Sequence, residues 1–180
     1  MRESIERSAA TTRHASAPNL PASGPLIARW REGLAIVNLR CDSRDAAMRA
    51  APSGTKLVEA GPDDWFVIGP RNTASAIEEA LRRAFAGQHA AVTDVSSGYT
   101  VLQLSGAPVR DVLAQGCPLD LHPRAFAPEH CAGTHFFKAS VWLWRTDDDG
   151  FELLVRRSFI GYVALMLERC TRECGLVTGD

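Results

Sequence analysis

The amino-acid sequence predicts an α+β fold built from two repeated β-α-β-α halves, with antiparallel sheets and helices packed on them. Two offsets and one length difference predict it. An offset of 65 residues carries Gly33-Leu34-Ala35-Ile36-Val37-Asn38-Leu39 onto Gly98-Tyr99-Thr100-Val101-Leu102-Gln103-Leu104, and Met48 onto Leu113. An offset of 86 carries Trp65-Phe66-Val67-Ile68 onto Phe151-Glu152-Leu153-Leu154, with Arg71 falling on Arg157, Ile77 on Val163 and Leu81 on Leu167. Internal similarity of this kind marks a repeated structural unit. The difference of 21 residues between the two offsets is extra chain in the second half.

Each element has a local reason. In residues 34–40, Ala35, Val37 and Leu39 alternate with Leu34, Ile36, Asn38 and Arg40, the period of a half-buried strand. Asp42 or Ser43 can cap the short helix that follows, which stops before the turn Pro52-Ser53-Gly54. A second turn, Gly61-Pro62-Asp63-Asp64, leads into a short buried strand at Trp65–Ile68. Asn72 or Thr73 caps an amphipathic helix with Ile77, Leu81 and Phe85 on one face and Glu78, Glu79, Arg82 and Arg83 on the other. Gly87 ends it, and Val92–Ser96 opens the second half. Tyr99–Leu104 reads as a strand, and Pro108 sits in the first turn of a helix through Val109, Val112 and Leu113. The segment Cys117–Gly133 holds three prolines and is expected to be a loop. His135–Arg145 is expected to be one long strand, with Phe137, Ala139, Val141 and Leu143 facing a core. Asp149-Gly150 within the acidic run closes a hairpin back to Phe151–Val155. The last helix, with Ser158 as its expected cap, is apolar nearly all round from Phe159 to Leu167. It is therefore expected to be covered on more than one side, by its own domain or by a partner.

Composition narrows the class. At 180 residues and 46% apolar content, the chain can bury one core or two small ones. Twenty basic against 21 acidic side chains, a formal net charge of −1, leave no basic footprint for nucleic acid or an anionic membrane. The longest apolar run falls well short of the ~20 residues that span a bilayer. Residues 1–24, rich in Ala, Ser, Thr, Arg and Pro, read as a flexible arm and not as a secretory signal. A single domain is expected over 25–175, with pseudo-repeats at about 25–90 and 91–172 and a tail at 176–180. Five unpaired-looking cysteines suit a reduced, cytoplasmic protein.

The motif search is mostly negative. The sequence has no Gly-x-Gly-x-x-Gly, no phosphate loop, no Gly-x-Ser-x-Gly and no His-Glu-x-x-His. The cluster Cys117, His122, His130, Cys131 and His135 lacks the paired close ligands that a zinc tetrahedron uses, so no metal site is assigned. Cys170 and Cys174 share a helix face without a third ligand. Arg156-Arg157-Ser158 at a helix start is either an anion site or a solvated corner. Asp94 and Asp120 suit turns or caps. Trp142 and Trp144 form either a second core layer or an exposed patch that wants a partner. In the proline-rich loop, His122 and Arg124 offer polar contacts, and Leu121 and Phe126 offer apolar anchors. With Trp142, Trp144, Phe159 and Tyr162, these are the candidate interface residues.

Certain segments have a particular likeness. Thr93-Asp94-Val95-Ser96 followed by Thr100–Gly106 resembles the start of the second half of folate-binding aminomethyltransferase (glycine-cleavage T-protein) domains. Gly61-Pro62-Asp63-Asp64-Trp65 with Gly69-Pro70, then Cys117-Pro118-Leu119-Asp120-Leu121-His122-Pro123-Arg124-Ala125-Phe126, then Val141-Trp142-Leu143-Trp144-Arg145, resembles the gamma subunits of heterotetrameric sarcosine oxidases. The resemblance covers roughly residues 25–172. It implies a fold like the T-protein folate-binding domain and a non-catalytic assembly role with alpha, beta and delta subunits. The complex would oxidise sarcosine to glycine with formation of hydrogen peroxide and methylenetetrahydrofolate. FAD, FMN and NAD would belong to alpha and beta, and zinc to delta. No position here matches the T-protein catalytic Asp or folate-binding Glu, so no catalytic or cofactor-binding residue is carried over. The alternative expectation is an independent folate-binding one-carbon transfer protein.

Overall fold

Residues 25–128 and 130–175 are described by the structure, a computed structural model. The expected arm and tail lie outside them. In chain order the elements are β1 (Ile27–Arg31), β2 (Ala35–Arg40), α1 (Arg44–Ala50), β3 (Lys56–Gly61), β4 (Asp64–Gly69) and α2 (Ala74–Ala84). The second half continues with β5 (Ala91–Asp94), β6 (Tyr99–Ser105), α3 (Val109–Ala114), β7 (Cys131–Phe136), β8 (Ala139–Asp147) and β9 (Gly150–Arg156). A single 3-10 turn, Arg157–Phe159, then leads into α4 (Ile160–Glu173).

Two antiparallel sheets result, one ordered β3-β4-β2-β5 and the other β1-β6-β9-β8-β7. The central strands β2, β4, β6 and β9 bury both faces, and that makes four layers. Ala35, Val37, Leu39 and Val67 point to the helices α1 and α2, which contribute Ala47, Ile77 and Leu81. Leu102, Leu104, Val141, Leu143, Phe151 and Leu153 point to α3 and α4, which contribute Val109, Val112, Val163 and Leu167. Between the sheets, Ile36, Val58, Phe66 and Ile68 meet Val101, Trp144 and Leu154.

The predicted repeat has a topological counterpart. Under the two offsets β2 corresponds to β6, α1 to α3, β4 to β9 and α2 to α4. The leading strands are exchanged. β1 precedes β2 but pairs with β6, Ile27 lying opposite Ser105; β5 precedes β6 but pairs with β2, Asp94 lying opposite Val37. Both leading strands were weakly marked in the sequence. β1 fully buries only Ala28, with Ile27 and Trp30 half-buried, and β5 has four residues, none fully buried.

Two expectations are corrected. The long strand expected at His135–Arg145 is two strands, β7 and β8, joined by a tight turn at Phe137-Lys138. Phe137 takes φ +51°, a left-handed conformation that the sequence does not advertise, because no Gly or Asn stands there. Its backbone N–H donates to Gly116 O at 2.7 Å, and its ring lies where a Cβ on Gly116 would come within 2.4 Å. Glycine at 116 is thus required for this packing. The cap residues also differ. Ser43 caps α1 by accepting from Ala46 N–H, but Thr73 donates its hydroxyl to Pro70 O, and Ser158 lies inside the 3-10 turn ahead of α4. Of the two covers open to α4, the described residues supply one side, with Val163, Ala164, Leu167 and Cys170 buried and Leu165 57% exposed.

Candidate subunit interface

The eight candidate residues separate into core and surface. Leu121 and Phe126 are each 5% exposed and belong to the core beneath α3 and α4. The expectation that they anchor a partner is corrected: they fasten the loop to its own domain. The Phe126 ring lies 6.3 Å from that of Phe151. Two arginines hold the same points from the backbone side. Arg110 Nε donates to Leu121 O at 3.2 Å, and Arg145 Nη1 donates to Phe126 O at 3.4 Å. Arg145 is 4% exposed, and it also donates to Asp147 O at 2.7 Å and pairs with Asp148. Arg110 pairs with Asp149 at 3.1 Å. The acidic hairpin turn therefore neutralises two arginines that pin the proline-rich loop. A buried cation needs such partners. Neither arginine was singled out from sequence. The signal was present: Arg145 continues the core phase of Val141 and Leu143 and is followed by three aspartates.

The polar groups this loop leaves outside stand among exposed prolines, Pro118, Pro123 and Pro128. His122 and Arg124 are exposed, and the turn around them is internally bonded, with Asp120 accepting from His122 N–H at 2.9 Å and His122 Nδ1 accepting from Arg124 N–H at 3.2 Å.

The two tryptophans of β8 form a second core layer between the sheets and are not an exposed patch, so their interface assignment is also corrected. Trp144 is 2% exposed and donates from Nε1 to Glu152 Oε2 at 2.9 Å. Trp142 is half-buried, packs edge-on against Phe66 and Tyr99, and donates from Nε1 to Ala60 O at 2.9 Å. Even positions of β8 face β3 and β4 because odd positions are taken by the outer core.

Phe159 and Tyr162 remain at the surface. Both are half-buried at the start of α4, their rings 6.3 Å apart, and Tyr162 Oη accepts from Lys138 N–H at 3.3 Å. The adjoining outward face holds Gly161 and Leu165, with half-buried Ile160 and Met166 beside them. Charge returns only at the helix end, where Glu168 pairs with Arg172 and Arg169 with Glu173. The earliest two turns of α4 are an apolar surface without ion pairs among the described residues.

The remaining chemistry-bearing groups are dispersed. Cys117 Sγ lies 3.7 Å from Thr134 Oγ1, and Cys131 Sγ donates to Glu59 O at 3.7 Å. Among the described residues, no group of three or more His, Cys, Asp or Glu stands close enough to hold a metal ion. Burial pushes the Cys131 thiol up to about 11, with Glu59 adding to the rise and Lys56 opposing it. Burial likewise pushes Cys170 up to about 11, helped by Glu173. Arg156 lies over the Tyr99 ring, and Asp94 accepts from Ser96 in a turn. Among the described residues no helix is long and apolar enough to cross a membrane.

Comparison with known proteins bears on the fold and the family. A sarcosine oxidase subunit gamma from Arthrobacter sp is 38% identical over 109 residues, which are 61% of this chain and 53% of that protein. The chain thus spans about half the length of the relative it matches. A chain of the heterotetrameric sarcosine oxidase from Corynebacterium sp. U-96, solved with pyrrole 2-carboxylate, matches with a TM-score of 0.77 at 26% identity, covering 88% of this chain and 90% of that one. The glycine cleavage system aminomethyltransferase T from Bartonella henselae shares the fold, with a TM-score of 0.60 at 12% identity over 80% of this chain and 45% of that one. Residues 39–173 match the family model described as sarcosine oxidase, gamma subunit family, and the chain belongs to that family.

Proposed function

We propose that this chain is the non-catalytic assembly subunit of a heterotetrameric sarcosine oxidase. The complex oxidatively demethylates sarcosine to glycine, with formation of hydrogen peroxide and methylenetetrahydrofolate. In this reading the alpha, beta and delta subunits carry FAD, FMN, NAD and zinc, and this chain supplies a docking surface. One observation carries the reading: α4 presents Leu165 outward, flanked by half-buried Phe159 and Tyr162, with no charge over its first two turns, whereas a water-facing helix of a monomer carries charges there. Apolar anchors surrounded by polar groups are the usual makeup of a subunit contact, and Asp120, His122 and Arg124 are exposed polar groups of the proline-rich loop. The folate-binding alternative rests on likeness of fold alone.

The test is co-purification of the full chain with the co-expressed large subunits. Leu165→Glu is expected to lower the recovered complex by about tenfold or more, as burying an unpaired charge in an interface costs at least the ~1.4 kcal/mol that a factor of ten requires. Arg124→Ala is expected to weaken assembly less. Flavin reduction by sarcosine in the complex that still forms should be unchanged. Normal assembly with lost turnover would overturn the reading and put this surface at the chemistry.

A further inference from the structure

A cleft of about 330 Å³ opens between the two sheets, on the side away from the β3–β7 contact with Ala60, and its lining is chemically lopsided. Its walls include Leu34, Ile68 and the Trp144 ring. Its polar side chains are Arg31, Thr55, Lys56 and Glu152. Glu152 is the only carboxylate among them, and its side chain is 6% exposed. Both of its oxygens are already engaged: Oε1 accepts from Arg31 Nη1 at 2.7 Å and Oε2 accepts from Trp144 Nε1 at 2.9 Å. Thr55 gives its hydroxyl hydrogen to Pro52 O at 2.6 Å. The Arg31 guanidinium has spent only one of its nitrogens within the described residues. Lys56 Nζ sits 5.6 Å from the centre of the Trp144 ring and, among the described residues, has no carboxylate within ion-pair distance.

Apart from the lone pairs of Thr55 Oγ1, the uncommitted side-chain groups in the cleft are thus donors on two cations. Two cations against one satisfied carboxylate leave an excess of one positive charge. Such a lining selects a guest that only accepts hydrogen bonds and carries negative charge. The apolar walls select a carbon body, which inorganic phosphate lacks. The volume is at the small end of the range of ligand sites, roughly 300–1,000 Å³. The geometry points to a binding site for a small organic acid, its carboxylate between Lys56 and the free edge of Arg31 and its carbon skeleton against Leu34. Glu152 is a positioning residue, holding Arg31 and the indole in place. The site is independent of the assembly surface on α4, which lies on the opposite face of the five-stranded sheet.

Calorimetric titration of benzoate into the full chain, purified alone or with its co-expressed subunits, tests this. The signal assigned to the cleft is the heat that the Lys56→Met variant loses. Lys56 is exposed, so the variant keeps the fold. Saturable benzoate binding is expected, weakened about tenfold by Lys56→Met, retained by Lys56→Arg, and absent for benzamide and for inorganic phosphate. Equal binding by wild type and Lys56→Met, or equal binding of benzamide, would overturn the site. Equal binding of inorganic phosphate would overturn the organic-acid assignment. Because Lys56 is not part of the α4 surface, failure here leaves the co-purification result unaffected.

Discussion

The helices α2 and α4 occupy equivalent places in the two halves, yet one is finished for water and the other is not. The same offset that pairs their core residues, Leu81 with Leu167 and Ile77 with Val163, also pairs Glu79 with Leu165. On α2, Glu79 pairs with Arg83 and Glu78 with Arg82 at 3.1 Å, so the outer face is laced with ions. On α4 the equivalent turns carry Gly161 and Leu165. The inward faces are alike because both must cover a sheet. The outward faces differ because nothing in the fold requires them to match. In a repeat of this kind, the outward face is where a division of labour between the copies shows.

The comparison can be broken first at the matched core positions. Leu81→Ala and Leu167→Ala, both at 0% exposure, are each expected to cost about 2–5 kcal/mol in urea denaturation. A loss below about 1 kcal/mol at either site would deny the equivalence. Next is Arg145→Ala, which has no counterpart in the first half. Removing it leaves Phe126 O without its donor and frees the loop, at an expected cost of about 3 kcal/mol, with faster proteolysis within residues 117–128. Smaller in stability but sharper in meaning is the pair Glu79→Leu and Leu165→Glu. Both should change stability by no more than ~0.5 kcal/mol, since both positions are exposed. Only the second should change assembly. The smallest effect at neutral pH concerns the thiols of the second half. Cys131 and Cys170, raised to about 11 from 9.0, hold their protons more tightly when folded. That contribution is complete below pH 9 and is lost as pH rises through 11, so stability should fall across this window. The double variant Cys131→Ala, Cys170→Ala should show a flatter fall in urea denaturation between pH 8 and 11.

The repeat and its core were legible because they rest on periodicity, which a sequence states directly. Val37, Leu39, Leu102 and Leu104 alternate, and Ile77, Leu81 and Phe85 recur at helical spacing. The interface was legible only in part. Leu121 and Phe126 read as free anchors because a proline-rich loop shows no periodicity to betray which side faces inward. What turns them inward is Arg110 and Arg145, whose partners are the aspartates of a hairpin elsewhere in the chain. Trp142 and Trp144 read as ambiguous because one strand cannot reveal a second sheet packed on its other face. The turn at Phe137 was invisible, since its left-handed residue is held by contact with Gly116, and such a contact leaves no mark on local composition.

The exchange of β1 and β5 has a consequence for how the chain acquires its structure. Neither sheet can be completed by one half alone, because β1 waits for β6 and β5 supplies the last edge to β2. As the chain leaves the ribosome, the first half therefore emerges with an unpaired leading strand and an open sheet edge. Pairings this distant along the chain slow folding, and open edges invite association with the wrong partner while they last. The two halves should accordingly form in one cooperative event late in synthesis. A fragment ending near residue 90 should then fail to fold, although its own core residues are all present.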